Sequence, residues 1–116
     1  DNLYAKLEAV GEKFFKHRQR IMLQRNMGLT DTYNRFYNPD CNDKDISTMR
    51  ILQAGMDKAV LESYDWDDIE LNHDFYQNDR GKIRYMPSRD AQREIYTRLI
   101  NLNHEIADGE AKHGPQ

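Results

Sequence analysis

The sequence has one cysteine, three prolines and six glycines among its 116 residues. A lone thiol, Cys41, cannot build an intramolecular disulfide framework or a thiolate metal cluster, and it fits a reducing compartment. No apolar run approaches the roughly 18 residues that a membrane span requires, and no signal-peptide pattern is visible. The expected setting is the cytoplasm, with no membrane partner. An excess of positive charge is also missing: 17 Lys and Arg stand against 20 Asp and Glu, leaving a net charge of -3. That balance argues against a chain coated for nucleic acid, although it leaves room for a local basic stripe. With 38% hydrophobic residues and a mean hydropathy of -1.00, the core has to be thin. The length supports one module. The chain opens on Asp1 within a helical pattern, which fits a piece of a larger chain and equally a trimmed terminus.

The strongest period lies in residues 2–27. Leu3, Leu7, Val10, Phe14, His17 and Ile21 recur at spacings of four and three, giving one apolar seam. Gly28 is expected just past the end of this helix, where a positive φ is cheap for glycine. Such a helix would run roughly 38 Å, and a narrow seam on a long helix needs a partner helix. A second period spans Ile46 to Tyr64, with Asp45 as the expected N-cap. A third starts at Ser88 after Pro87 and continues to Ala107 along Ala91, Ile95, Leu99, Leu102 and Ile106. Residues 108–116, without an apolar anchor, read as a disordered tail. Between the last two helices, Asn78–Gly81 is a turn signal flanked by the β-prone runs "HDFYQ" and "KIRYM". The expected fold class is mainly α: a long helical hairpin or three-helix arrangement with a small β-hairpin between helices two and three.

Catalytic constellations are missing as well. Cys41 lies among Asp40, Asn42 and Asp43, neighbours that oppose thiolate formation. The four histidines (17, 73, 104, 113) are scattered, with no His-x-x-x-His pair, so no zinc site is expected. "DWDDIE" gathers Asp65, Asp67, Asp68 and Glu70, but not in the spacing of a calcium loop. The glycines occur singly and build no phosphate cradle. No catalytic residue, metal or cofactor is expected in this segment.

Basic residues carry more. Lys6, Lys13, Lys16 and Arg20 fall within about one quarter of the first helix's circumference, beside the apolar seam, with Arg18 and Arg25 near its other edge. Such a stripe is able to follow phosphates, and Lys13, Lys16, Arg20, Arg25 and Arg35 are the candidate DNA-binding set. A second group, Arg80, Lys82, Arg84, Arg89 and Arg93, interleaves with Phe75, Tyr76 and Tyr85, rings whose simplest use is packing.

Gly28 opens and Pro39 all but closes a stretch with loop signals at both ends, yet Tyr33, Phe36 and Tyr37 crowd into it. Tyr33, Asn34, Phe36 and Tyr37 are read as a structural clasp over the helix pair, with Thr32, Asn34 and Asn38 satisfying backbone groups. Three segments, "GLTDTYNRFYNPD" (28–40), "MDKAVLESYDWDDIELNHDF" (56–75) and "RYMPSRDAQREIYTRLINLNHE" (84–105), resemble in order and spacing the C-terminal region of large bacterial adenine-specific DNA methyltransferases, many of them fused restriction–modification enzymes. The resemblance covers roughly residues 15–105. The family's Asp/Asn-Pro-Pro-Tyr/Phe tetrapeptide is absent, since "NPDC" at 38–41 does not match it. The resemblance therefore implies a non-catalytic accessory module that braces the target-recognition region and contacts DNA phosphates, with S-adenosylmethionine bound only by the parent. Its partners would be the rest of the parent chain, DNA, or a second copy. The competing expectation is a protein-interaction or oligomerisation module that touches no DNA.

Overall fold

A computed structural model describes residues 2–112. Four helices and one hairpin follow in the order α1 (Asn2–Arg25), α2 (Leu29–Phe36), α3 (Lys44–Ser63), β1 (Asp74–Gln77), β2 (Ile83–Met86) and α4 (Arg89–Lys112). The mainly helical class and the hairpin between the last two long helices agree with the sequence patterns.

Helices α1 and α3 pack antiparallel, and the seam of α1 finds its partner there. Lys6 meets Glu62 at one end at 2.9 Å, and Arg25 meets Asp45 at the other at 2.7 Å. Between them Phe14 and Ile21 of α1 are buried against Ile46 and Met49 of α3. The seam fades toward the N-terminus, where Leu3 is 47% exposed. Only the half of α1 that faces both α3 and α2 is fully covered.

The principal difference from expectation is α2. Eight residues of the aromatic stretch are helical, so the clasp is a helix and the described residues form four. Tyr33, Phe36 and Tyr37 stand at i, i+3 and i+4, which places all three rings on one helical face. Phe36 is 1% exposed, touches Tyr33 and Tyr37 edge-on at centroid distances of 5.4 and 5.2 Å, and meets Tyr85 of β2 at 5.6 Å. Thr32, fully buried, returns its hydroxyl proton to the Gly28 carbonyl at 2.8 Å.

Two helix termini are corrected. Asn26 (φ 51°) rather than Gly28 takes the left-handed position after α1, and Met27 N–H and Asn26 N–H close back on the carbonyls of Met22 and Leu23 in a Schellman arrangement. Gly28 is extended and begins α2. At α3 the N-cap is Asp43. Asp45 already lies in the first turn, its carboxylate occupied by Ile46 N–H and Arg25. Asp65 (φ 63°) ends α3 with the same backbone pattern, Trp66 N–H reaching the Leu61 carbonyl at 2.9 Å.

Ser88 caps α4 as expected, its hydroxyl oxygen accepting Ala91 N–H at 3.1 Å. The helix reaches Lys112, past the predicted end at Ala107, so residues 108–112 of the expected tail are helical even though Asp108 and Gly109 are poor helix formers. Residues 113–116 of the expected tail lie outside the described residues.

Arg50 joins α3 to α2, to the connection that follows it and to β1. It is 6% exposed and donates to the carbonyls of Phe36 (3.0 Å), Cys41 (2.8 Å), Arg35 (3.0 Å) and Asn38 (3.0 Å). Its guanidinium also lies 4.8 Å from the Phe75 ring centre. Replacing Arg50 by Met strands those buried carbonyls, and the expected loss is about 3 kcal/mol or more of unfolding free energy. At about 4–8 °C per kcal/mol for a domain of this size, the melting midpoint falls by more than about 10 °C. Arg50→Lys recovers little of it, since a point-like ammonium cannot reproduce the planar fork. A thermal melt of both variants checks this, and a Lys variant as stable as the wild type refutes the role.

Candidate nucleic-acid interface

The five cations singled out in the sequence fall into different environments. Lys13 and Arg20 are exposed on α1 and have no ion pair among the described residues. Lys16 pairs with Glu12 one turn earlier at 2.8 Å, both in open solvent. The neighbouring Lys6 is drawn to Glu62. Arg35 is exposed at the end of α2 and lines a cleft of about 450 Å³ with Arg25, Asn26, Asp31 and Asn34.

Arg25 differs in kind. Its Nε and Nη2 grip both oxygens of Asp45 at 2.8 and 2.7 Å, and Nη2 also reaches Asp43 at 2.9 Å. These hydrogen bonds raise the guanidinium pKa and hold the Asp45 carboxyl below its ordinary range. A forked, two-carboxylate grip satisfies the side chain internally. It locks the end of α1 to the start of α3 and leaves little capacity for phosphate. His17 adds to the same junction, its Nε2 lying 2.8 Å from the Asp45 carbonyl oxygen.

The clasp residues divide as well. Tyr33, Phe36 and Tyr37 form the packed face, with Arg18 donating to the Tyr33 hydroxyl at 3.1 Å. The Nε of Arg18 is buried without an acceptor, in reach of the Phe14 and Phe15 rings. Asn34 is exposed and lines the cleft instead. Asn38 does the loop work expected of it, accepting Asp40 N–H at 2.9 Å.

In the second basic group, Arg89 is held by Asp79 and the Gln77 carbonyl, and Arg93 approaches Asp90 at 3.7 Å. Arg84 lies 4.5 Å from the Tyr37 ring centre. Phe75 and Tyr85 face one another across the hairpin at 5.4 Å on the side that meets Phe36. The Tyr76 hydroxyl donates to the Asn72 carbonyl at 2.8 Å.

Three internal pairings carried no obvious mark in the sequence. Arg50 is one, and its only trace is an arginine four residues after the buried Ile46. His73 is another: its ring nitrogen sits 2.7 Å from Asp57 of α3, not on the adjacent Asp74, and its ring stacks on Tyr85. The third is Arg98, which forks onto both oxygens of Asp68 at 2.9 and 2.6 Å and depresses that carboxyl's pKa. The acidic run is thereby partly spent on structure, and no group of three metal-ligating side chains occurs among the described residues.

Comparisons with protein-family models, with curated proteins and with solved structures return no match for this chain.

The depressed Asp45 pKa has a signed consequence. A carboxyl whose folded pKa lies below its unfolded value contributes stability that is complete above the unfolded value, about 3.9, and is lost as pH falls through the folded one. Asp45→Asn should lower the urea midpoint at pH 7 and flatten its decline below about pH 4. Urea titrations of both proteins between pH 7 and pH 2.5 measure the difference, and parallel curves would dismiss the Arg25–Asp45 lock.

Proposed function

We propose that this chain is a non-catalytic accessory module of a DNA methyltransferase or restriction–modification enzyme, one that braces the target-recognition region and lends weak phosphate contacts. The observation that carries the bracing role is the apolar stripe of α4, which starts buried and ends bare. Ala91 is 3% exposed, whereas Ile106 on the same stripe is 51% exposed. Near its start α4 is held by the Ser88 amide on the Leu71 carbonyl and by the Arg98–Asp68 fork. The last turns extend beyond those attachments. A solitary helix end gains little from its own backbone, so an apolar stripe that continues there is suited to a surface elsewhere in a parent protein.

The kind of parent comes from the resemblance carried by residues 28–40, 56–75 and 84–105. Methyl transfer and S-adenosylmethionine belong to that parent in this proposal. The phosphate contacts rest on cations without a carboxylate partner among the described residues, Lys13, Arg20 and Arg35 among them. The same bare stripe, with the net charge of -3, also favours a second role, a docking module with no DNA contact.

Titrating the 116-residue chain with a labelled non-specific duplex over a salt series separates the two. The expected outcome is weak binding with a log–log salt slope steeper than about -2, meaning several phosphates engaged. No binding at low salt defeats the phosphate role and leaves docking. For the bracing role, Ile106→Glu should leave the melting midpoint of the isolated chain within about 2 °C, as exposed substitutions do. The same change should lower methylation by the full-length enzyme, and unchanged methylation counts against the brace.

A further inference from the structure

Exposed cations without a carboxylate partner among the described residues stand on α1 (Lys13, Arg20), on α2 (Arg35) and, close together, at the hairpin turn. Arg80 and Lys82 stand on the turn, both exposed and both without a carboxylate partner among the described residues. Elsewhere Arg25, Arg98, Lys6 and Lys16 are engaged with acids, and Arg50 is buried on carbonyls. Two acids belong to the hairpin. Asp79 is turned to Arg89 at 3.1 Å, and Asp74 accepts its neighbour's amide, Phe75 N–H.

The turn that presents these cations is rigid. One oxygen of Asn78 accepts both Arg80 N–H and Lys82 N–H at 2.9 Å. Gly81 supplies the left-handed residue (φ 75°), and its N–H returns to the Asn78 carbonyl at 3.0 Å. Arg84 follows on β2, laid over Tyr37 and paired in register with Tyr76. Side chains alternate along a strand, so with Tyr85 and Phe75 committed to the core side, Tyr76 and Arg84 belong to the other. The hairpin is thus anchored by Phe75 and Tyr85 on one face and by Arg84, half-buried over Tyr37, on the other, and its exposed charge is carried at the tip. A two-stranded ribbon of this form fits a DNA groove, and arginine and lysine at its tip are suited to phosphate oxygens.

We infer that the hairpin, through Arg80 and Lys82 at its turn, is the principal element that contacts the backbone of duplex DNA, ahead of the α1 stripe. This assignment rests on the proposed DNA-associated role of the module. It names a different surface from Lys13 and Arg20.

Fluorescence anisotropy of the 116-residue chain with a labelled non-specific duplex tests it, comparing the wild type with Arg80→Gln/Lys82→Gln and with Lys13→Gln/Arg20→Gln. All four positions are exposed, and a thermal melt of each variant verifies its fold. The expected result is a salt slope shallower by about 2 in the hairpin variant, close to 0.9 per lost phosphate contact, with a smaller change in the α1 variant. An unchanged slope in the hairpin variant, or an equal or larger loss in the α1 variant, overturns the inference while the DNA-associated role stands. Tighter hairpin-dependent binding to a single strand than to the duplex overturns the choice of ligand. No binding by the wild type removes both the inference and the phosphate role beneath it.

Discussion

A guanidinium buried without a carboxylate organises this fold. Arg50 projects from α3 into the space where α2 ends and the next connection begins, and four backbone carbonyls converge on it. Carbonyls in the last turn of a helix have no partner within the helix and carry its negative end. A cation there satisfies groups that burial would otherwise leave exposed to an apolar interior, and they in turn replace the water it has lost. Arginine suits the task because its donors spread in a plane and remain charged. The Phe75 ring covers one side of that plane, so the hairpin is drawn to the same point. Without Arg50, α2, the 37–43 connection and β1 would share no common attachment to α3.

The rest of the architecture spends polar groups on work that apolar burial does in larger domains. The buried cluster is small: Phe14, Ile21, Phe36, Ile46 and Met49, widened by the tyrosines of α2 and β2. Around it, each junction has its own charged or aromatic tie. Arg25 joins α1 to α3, Asp57 joins α3 to the segment before β1 through His73, and Asp68 joins the loop after α3 to α4 through Arg98. Trp66 stacks on Tyr64 at 4.8 Å beside the last of these ties. A chain with so many charges and a thin core becomes rigid only where such ties are forked or shielded, and these are.

Two features point outward from that rigid body. One is the distal half of α4, whose stripe outlasts its own chain's coverage. The other is the hairpin turn, where positive charge is presented on a constrained backbone. The first suits an apolar neighbour and the second a polyanion. The proposed module would use the first against its parent and the second against DNA. None of the described helices is long and apolar enough to cross a membrane.

Much of this is legible in the sequence. Hydrophobic spacing along residues 2–27, 46–64 and 88–107 marks three long helices because a buried helical face repeats every three or four residues, and Asn78–Gly81 marks a hairpin because only certain residues tolerate its backbone. The short helix α2 was legible too, in the i, i+3, i+4 spacing of Tyr33, Phe36 and Tyr37, but Gly28 and Pro39 at its edges outweighed eight residues of pattern. What could not be read was which charge meets which. Arg25 counts as one more candidate for DNA until the antiparallel packing of α3 brings Asp43 and Asp45 beside it, and nothing local marks Asp57 of α3 as the partner of His73. Local spacing follows from the geometry of a single helix or strand, and a sequence contains that geometry. Pairings between residues 16 to 56 positions apart, such as His73–Asp57 and Lys6–Glu62, depend on how elements lie across one another. Coulomb attraction and hydrogen bonding act only at the distances that packing creates, so packing sorts identical arginines into a buried hub, a lock between helices and a free surface charge.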